Sequence, residues 1–274
     1  MADSSVTQRE PGLVVVRAGN VGPMTLDGTC SYLAGTSRLV LIDPGPEDAD
    51  HLSQLVAAAL GRPVTAVLLT HAHRDHSGLA SAASKEFGAQ IMASADTLDR
   101  TGLEGRALTD AEPISLDTDM NIVALHSPGH SADHVTYFSD AQRWLFTGDL
   151  VLGVGSSSIL YPDGSVSAYL ASLSRLYALR PSRLLPGHGP PVEDAMSRLA
   201  EYKSHRLERE QQILQALRAG AQSVQDIRAA VYDPLPTGLV WATEASIAAH
   251  LSALAENGHD VPSFSAYGAT PEQG

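Results

Sequence analysis

Between Thr70 and Gly78 the chain reads Thr-His-Ala-His-Arg-Asp-His-Ser-Gly, which places His71, His73, Asp75 and His76 within six positions. Imidazole nitrogen and carboxylate oxygen are the ligands that first-row divalent metals, zinc above all, prefer. Three more residues of the same chemistry each stand beside glycine: His130 in Pro128-Gly-His130-Ser, Asp149 in Thr147-Gly-Asp149, and His188 in Pro186-Gly-His188-Gly. Glycine there permits the tight backbone turn that aims a side chain into a shared cleft. His134, four residues after His130, is either a further ligand or a residue that orients one. Lone histidines are mostly surface or satisfied-core residues, and His51, His126 and His259 are read that way.

Composition limits what such a site serves. A chain of 274 residues, 43% apolar but only 5% aromatic, is long enough for an aliphatic core and a smaller second domain. The start Met-Ala-Asp-Ser-Ser-Val-Thr-Gln has no cationic segment followed by an apolar one, and no stretch approaches the roughly 20 apolar residues of a membrane span. A cytoplasmic protein with no membrane partner is expected. The single cysteine, Cys30, excludes an internal disulfide and a cysteine-rich zinc site, so metal binding must come from His and carboxylate; Cys30 itself reads as a small buried hydrophobe. A net charge of −13 opposes undirected binding to a polyanion, while leaving room for a local basic groove.

The elements that must position these residues are short apolar runs bounded by Gly, Pro, Asp or Ser: Leu13–Val16, Leu39–Ile42, Val64–Leu69, Ile122–Leu125, Val135–Phe138 and Trp144–Phe146. Each reads as a buried strand. Helices alternate with several of them: Leu52, Leu55, Val56, Ala59 and Leu60 share one helical face, as do Val166, Leu170, Leu173 and Tyr177. From about Pro191 the pattern is helical, with a long helix to about Ala219, a second opened by the capping-box-like Ser223-Val-Gln-Asp226, and a third from about Thr243 to Asn257. In the third, Ile247, Leu251 and Leu254 form a modest apolar stripe. Three helices and a short extended stretch suit a winged-helix-like unit. The expected organisation is α+β, with a catalytic domain over 1–195, a helical domain over 196–267 and a disordered tail, 268–274.

The spacing His-x-His-x-Asp-His, then a distant His, Asp and His, resembles the metallo-β-lactamase superfamily at all seven positions, over roughly residues 13–195. The resemblance implies an αββα sandwich and two zinc ions. His71, His73 and His130 would hold one, Asp75, His76 and His188 the second, and Asp149 would bridge them. Asp75 and Asp149 are then also the catalytic carboxylates, Asp75 receiving a proton from the attacking water. Asp43, in Leu41-Ile-Asp43-Pro-Gly, matches a further family feature behind the ligands and is read as orienting one of them or as a plain strand-end turn.

Zinc β-lactamases of the family commonly carry cysteine where this chain has Asp149, which points instead toward thioesterases, glyoxalase II-like enzymes, lactonases and nucleases. The segment Tyr202-Lys-Ser-His205-Arg206-Leu-Glu-Arg209 and the turn Thr25-Leu-Asp-Gly-Thr29 resemble the β-lactamase-like protein 2 family, which includes an endoribonuclease and polyketide thioesterases. Its members commonly have Asn where Cys30 stands. His205, Arg206 and Arg209 either pair along a solvated helix face or meet an anionic substrate. No Lys or Arg occurs from Ala229 to Gly274, so duplex DNA is not an expected partner and the helical domain is read as a wall over the cleft. The expected function is hydrolysis of a small-molecule ester or thioester. Cleavage of single-stranded RNA and a non-catalytic, metal-stabilised binding module are the alternatives.

Overall fold

The computed structural model describes residues 6–114, 120–234 and 237–268, so the tail expected to be disordered lies outside the described residues apart from Gly268. The chain divides into two compact units that are discontinuous in sequence. The first takes residues up to Ser127, Asp133–Gly155 and Arg180–Met196; the second takes Pro128–Ala132, Ser156–Leu179 and the residues from Ser197 onward.

In the first unit, β1 (Val6–Glu10), β2 (Leu13–Arg17), β3 (Cys30–Ala34) and β4 (Leu39–Ile42) pair antiparallel. The chain then alternates through α1 (Ala49–Ala59), β5 (Val64–Leu68), α2 (Arg74–Ser77), α3 (Ala80–Phe87), β6 (Gln90–Ser94), α4 (Ala95–Thr101) and β7 (Arg106–Leu108), which makes β4 to β7 parallel. A second sheet has β8 (Glu112–Ile114), β9 (Ile122–His126), β10 (Val135–Ser139), β11 (Trp144–Gly148) and β12 (Arg183–Pro186) in the order β12-β11-β10-β9-β8, with only β11 and β12 parallel.

The unbroken apolar run of β4 is explained by burial on both faces. Val40 and Ile42 enter a core shared with Ala124, Tyr137 and Phe146 of the second sheet, whereas Leu39 and Leu41 pack with Leu55 of α1 and Ala83 of α3. Helix, sheet and sheet are therefore stacked. Asp48 caps α1 by accepting the Asp50 N–H at 2.9 Å, and the helix ends at Ala59. Leu60, expected on the buried face, instead takes the left-handed cap conformation and is 68% exposed.

The second unit contains α5 (Val166–Ala178), all but the first two residues of α6 (Ala195–Arg218), α7 (Val224–Val231) and α8 (Val240–Glu256). Ser223 caps α7 as its sequence indicates: Oγ accepts the Asp226 N–H at 3.1 Å, and Asp226 accepts the Gln222 N–H at 3.0 Å. Ile213, Val224, Ile227, Ile247, Leu251 and Leu254 form the core of these helices. Two helix faces differ from expectation. In α5 the buried side is Val166, Tyr169, Leu173 and Leu176, with Tyr177 outside, and α8 is buried nearly all round, His250 included. Among the described residues α8 is followed by a 3-10 turn at Ser265–Gly268 and by no strand. No described helix is long and apolar enough to cross a membrane.

Candidate metal centre

Two pairs of parallel strands, one in each sheet, carry the site at their carboxyl ends. Asp43 follows β4 and His71 follows β5 in the first sheet; Asp149 follows β11 and His188 follows β12 in the second. Buried tyrosines fix the carbonyls beside these ends, Tyr137 Oη donating to Leu69 O and Tyr32 Oη to Pro186 O, both at 2.6 Å. The loop after β12 is tied back as well: Cys30 N–H donates to Gly187 O at 2.7 Å, and the buried Cys30 Sγ lies 3.5 Å from Gly189 O. Cys30 is thus the small buried residue expected of it, with burial pushing its thiol pKa up.

The donor atoms converge at a distinctive spacing. His76 Nε2 lies 3.3 Å from His188 Nε2, 3.3 Å from Asp149 Oδ1 and 3.5 Å from Asp75 Oδ2, while His188 Nε2 lies 3.2 Å from Asp75 Oδ2 and 3.4 Å from Asp149 Oδ2. Ligands bound at zinc–ligand distances of 2.0–2.1 Å in a tetrahedron stand about 3.3–3.4 Å apart, so these separations are those of a coordination shell. Asp149 turns one oxygen to each histidine. His71 Nε2 and His73 Nδ1 are 2.9 Å apart, and His71, His76 and Asp149 form a further group able to share an ion.

Each of these buried rings is held by its distal nitrogen. Thr70 Oγ donates to Asp43 Oδ2 at 2.7 Å and therefore offers a lone pair to the His71 Nδ1–H, 2.9 Å away. His76 Nδ1–H donates to Asp43 Oδ2 at 2.9 Å, and His188 Nδ1 faces the Gly28 carbonyl at 3.4 Å. The Nε2 lone pairs are left for a cation, the tautomer that a metal site requires. Asp43 therefore takes the orienting role rather than that of a plain turn, and its Oδ1 also accepts the Thr70 N–H at 2.8 Å.

The field of the site calls for positive charge. Burial would lower the His76 pKa, yet the carboxylates of Asp75, Asp149 and Asp43 outweigh it and push the ring well above its ordinary value. His188 is likewise pushed up to about 9, against burial, by Asp149 and Asp75. Burial would raise Asp149, but His76 and His188 hold it well below the usual carboxylate range. Carboxylates this buried are tolerated only with a compensating cation. Gly187 keeps the centre open, since a Cβ there would stand 2.5 Å from His76 Cε1 and 2.6 Å from Asp149 Oδ1.

Sequence reasoning missed Asp133 and Thr70. Asp133 accepts the Ala72 N–H and the Thr97 hydroxyl, each at 2.8 Å, and so fixes the backbone between His71 and His73. Its place beside His134 was the one signal the sequence offered. His134 proves to be a support: its Nε2 accepts the Asp149 N–H at 3.2 Å and its ring stacks 5.1 Å from His71. His51 is a buried core residue whose Nε2 lies 2.9 Å from Ser31 Oγ. Tyr32 packs edge-on against Phe146. His130 belongs to the second unit, where its Nδ1–H donates to Ser158 O at 2.7 Å.

A two-sheet sandwich with imidazole and carboxylate donors at its strand ends defines a class, the metal-dependent hydrolases of the metallo-β-lactamase fold. The model of the Metallo-beta-lactamase superfamily matches residues 24–188, and the chain belongs to that superfamily, in its β-lactamase-like protein 2 branch. It is 31% identical over 280 residues to a Beta-lactamase-like protein 2 homolog of Drosophila melanogaster, covering 93% of this chain and 91% of that one. It is 32% identical over 238 residues to an Atrochrysone carboxyl ACP thioesterase of Aspergillus chevalieri, covering 82% and 75%. A crystal structure of a beta-lactamase domain protein from Burkholderia ambifaria shares the fold, with a TM-score of 0.77 at 23% identity over 92% of this chain and 88% of that one.

Proposed function

We propose that the chain is a dinuclear zinc hydrolase acting on an ester or thioester of a small molecule, with the thioester preferred. The observation that carries this reading is that Asp149 groups its donor atom with those of His71 and His76, one residue from each expected triad, while Asp75 groups with His76 and His188. His71, His73 and His130 would hold one ion, and Asp75, His76 and His188 the other, with Asp149 between them. When bound, two such ions would lower the pKa of water to near neutrality and polarise an acyl oxygen. Asp75, whose side chain is 27% exposed against 0% for His76 and His188, is the carboxylate open to substrate and would accept a proton there. Asp149, held at its N–H by His134, keeps both donors in register.

The thioester preference draws on the fungal relative's name and on charge. A chain of net charge −13 with no Lys or Arg from Ala229 to Gly274 is poorly suited to a polyanion. We read α6 to α8 as a winged-helix-like module that does not read duplex DNA, because α8 buries most of its sides. RNA is the second candidate substrate, and a cytoplasmic location fits the composition. The test compares acyl thioesters of a pantetheine thiol, simple aliphatic esters and unstructured RNA in one preparation, with and without chelator. Chelator-sensitive thioester hydrolysis is expected. RNA cleavage with inert thioesters would turn the reading to a nuclease, and metal-replete protein inert toward all three would turn it to a binding module.

A further inference from the structure

Arg206 on α6 is 4% exposed, yet no carboxylate pairs with it among the described residues. A guanidinium is costly to bury, so one that meets no anion is explained by what its donors and its flat face hold. Its Nη2 donates to the Ser157 carbonyl, and its Cζ lies over the Tyr169 ring, 5.4 Å from the centroid. The next carbonyl, Ser158 O, accepts the His130 Nδ1–H at 2.7 Å, and Ser157 Oγ lies 3.3 Å from the same nitrogen. The His130 loop is fixed from its other side by α5. Gly129 O accepts the Ser165 N–H at 2.9 Å and Pro128 O accepts the Ser172 hydroxyl at 2.8 Å. Gly129, at φ +150°, passes so close to Tyr169 that a Cβ would stand 2.4 Å from its Cα.

We propose that Arg206 is a positioning residue for His130: by gripping the Ser157 carbonyl and covering Tyr169, it locks the Ser157–Ser158 peptide. The Ser158 carbonyl then keeps the proton on His130 Nδ1 and leaves the Nε2 lone pair for a metal. The inference rests on the reading of His130 as a ligand. Lysine can reach one carbonyl but has no plane to lay over Tyr169, so arginine is the residue type this arrangement needs.

The test is long-range nitrogen–proton NMR on metal-free protein with labelled histidine, comparing wild type with Arg206→Met and Arg206→Lys. Wild-type His130 is expected as the Nδ1–H tautomer, with that population reduced in Arg206→Met and intermediate in Arg206→Lys, which keeps the charge if Arg206→Met folds poorly. Zinc titration against a competing chelator is expected to show one of two ions bound 10–100-fold more weakly in Arg206→Met. An unchanged His130 tautomer in both variants would overturn the positioning role. His130→Ala separates the two claims: if zinc affinity ignores that substitution, the ligand reading fails, whatever the tautomer result.

Discussion

At Thr70 a single hydroxyl links two imidazoles, donating to Asp43 while accepting from His71, and Asp43 in turn receives the His76 ring. Asp43→Asn should break this chain in a specific way. An amide oxygen can still accept the Thr70 N–H, but the NH2 group then points at Thr70 Oγ and His76 Nδ1, which favours the Nε2–H tautomer and removes the lone pair. We expect metal affinity at the His76 position to fall 10–100-fold, with little loss of fold, as read by zinc titration and circular dichroism. Unchanged affinity would show that Asp43 is only a turn residue. The residues whose donor atoms come together were legible in the sequence because their types are rare and the spacing of His71, His73, Asp75 and His76 is tight. Thr70 and Asp133 were not, because a threonine or aspartate in the unfolded chain carries no sign of which loop it will hold.

Strands buried on both faces, such as β4 and β5, were legible as continuous apolar runs. β3 (Cys-Ser-Tyr-Leu-Ala) and β6 (Gln-Ile-Met-Ala-Ser) were not, because their small and polar residues hide the pattern that tertiary pairing enforces. The helix faces of α5 and α8 were misjudged for a related reason: alanine and histidine count weakly in an apolar stripe, yet Ala248 and His250 are fully buried. His250 makes no hydrogen bond among the described residues, and burial, with Arg206, Arg209 and His205 on α6 adding to it, lowers its pKa to about 3. The unfolded chain therefore takes up a proton near pH 6.5 that the folded chain refuses until about pH 3, so stability is lost as pH falls through that window. His250→Leu should remove this penalty. Relative to wild type, the variant should gain about 2 kcal/mol in urea unfolding between pH 7.5 and pH 5, and parallel curves would refute the assignment.

Over the whole molecule, the class of fold and its metal dependence were legible in the sequence, because the tight His-x-His-x-Asp-His run and the glycine-flanked Asp149 and His188 are the residue types and spacing such a hydrolase carries. What could not be read is how the chain pairs its strands, which decides that both sheets present parallel carboxyl ends, Asp43 with His71 and Asp149 with His188. The compact units also interleave along the chain, so that Pro128–Ala132 and α5 group with the C-terminal helices, an arrangement that a linear change in composition does not reveal. The central proposal is that Asp149 would lie between two ions in one hydrolytic site. Elemental analysis of zinc per chain, made on the same samples as thioester turnover, tests it most directly in wild type and Asp149→Ala. The account predicts two ions and turnover in wild type, and fewer than two with turnover abolished in a folded Asp149→Ala. Two ions and full turnover in that variant, or no metal in the wild type after zinc supplementation, would contradict it.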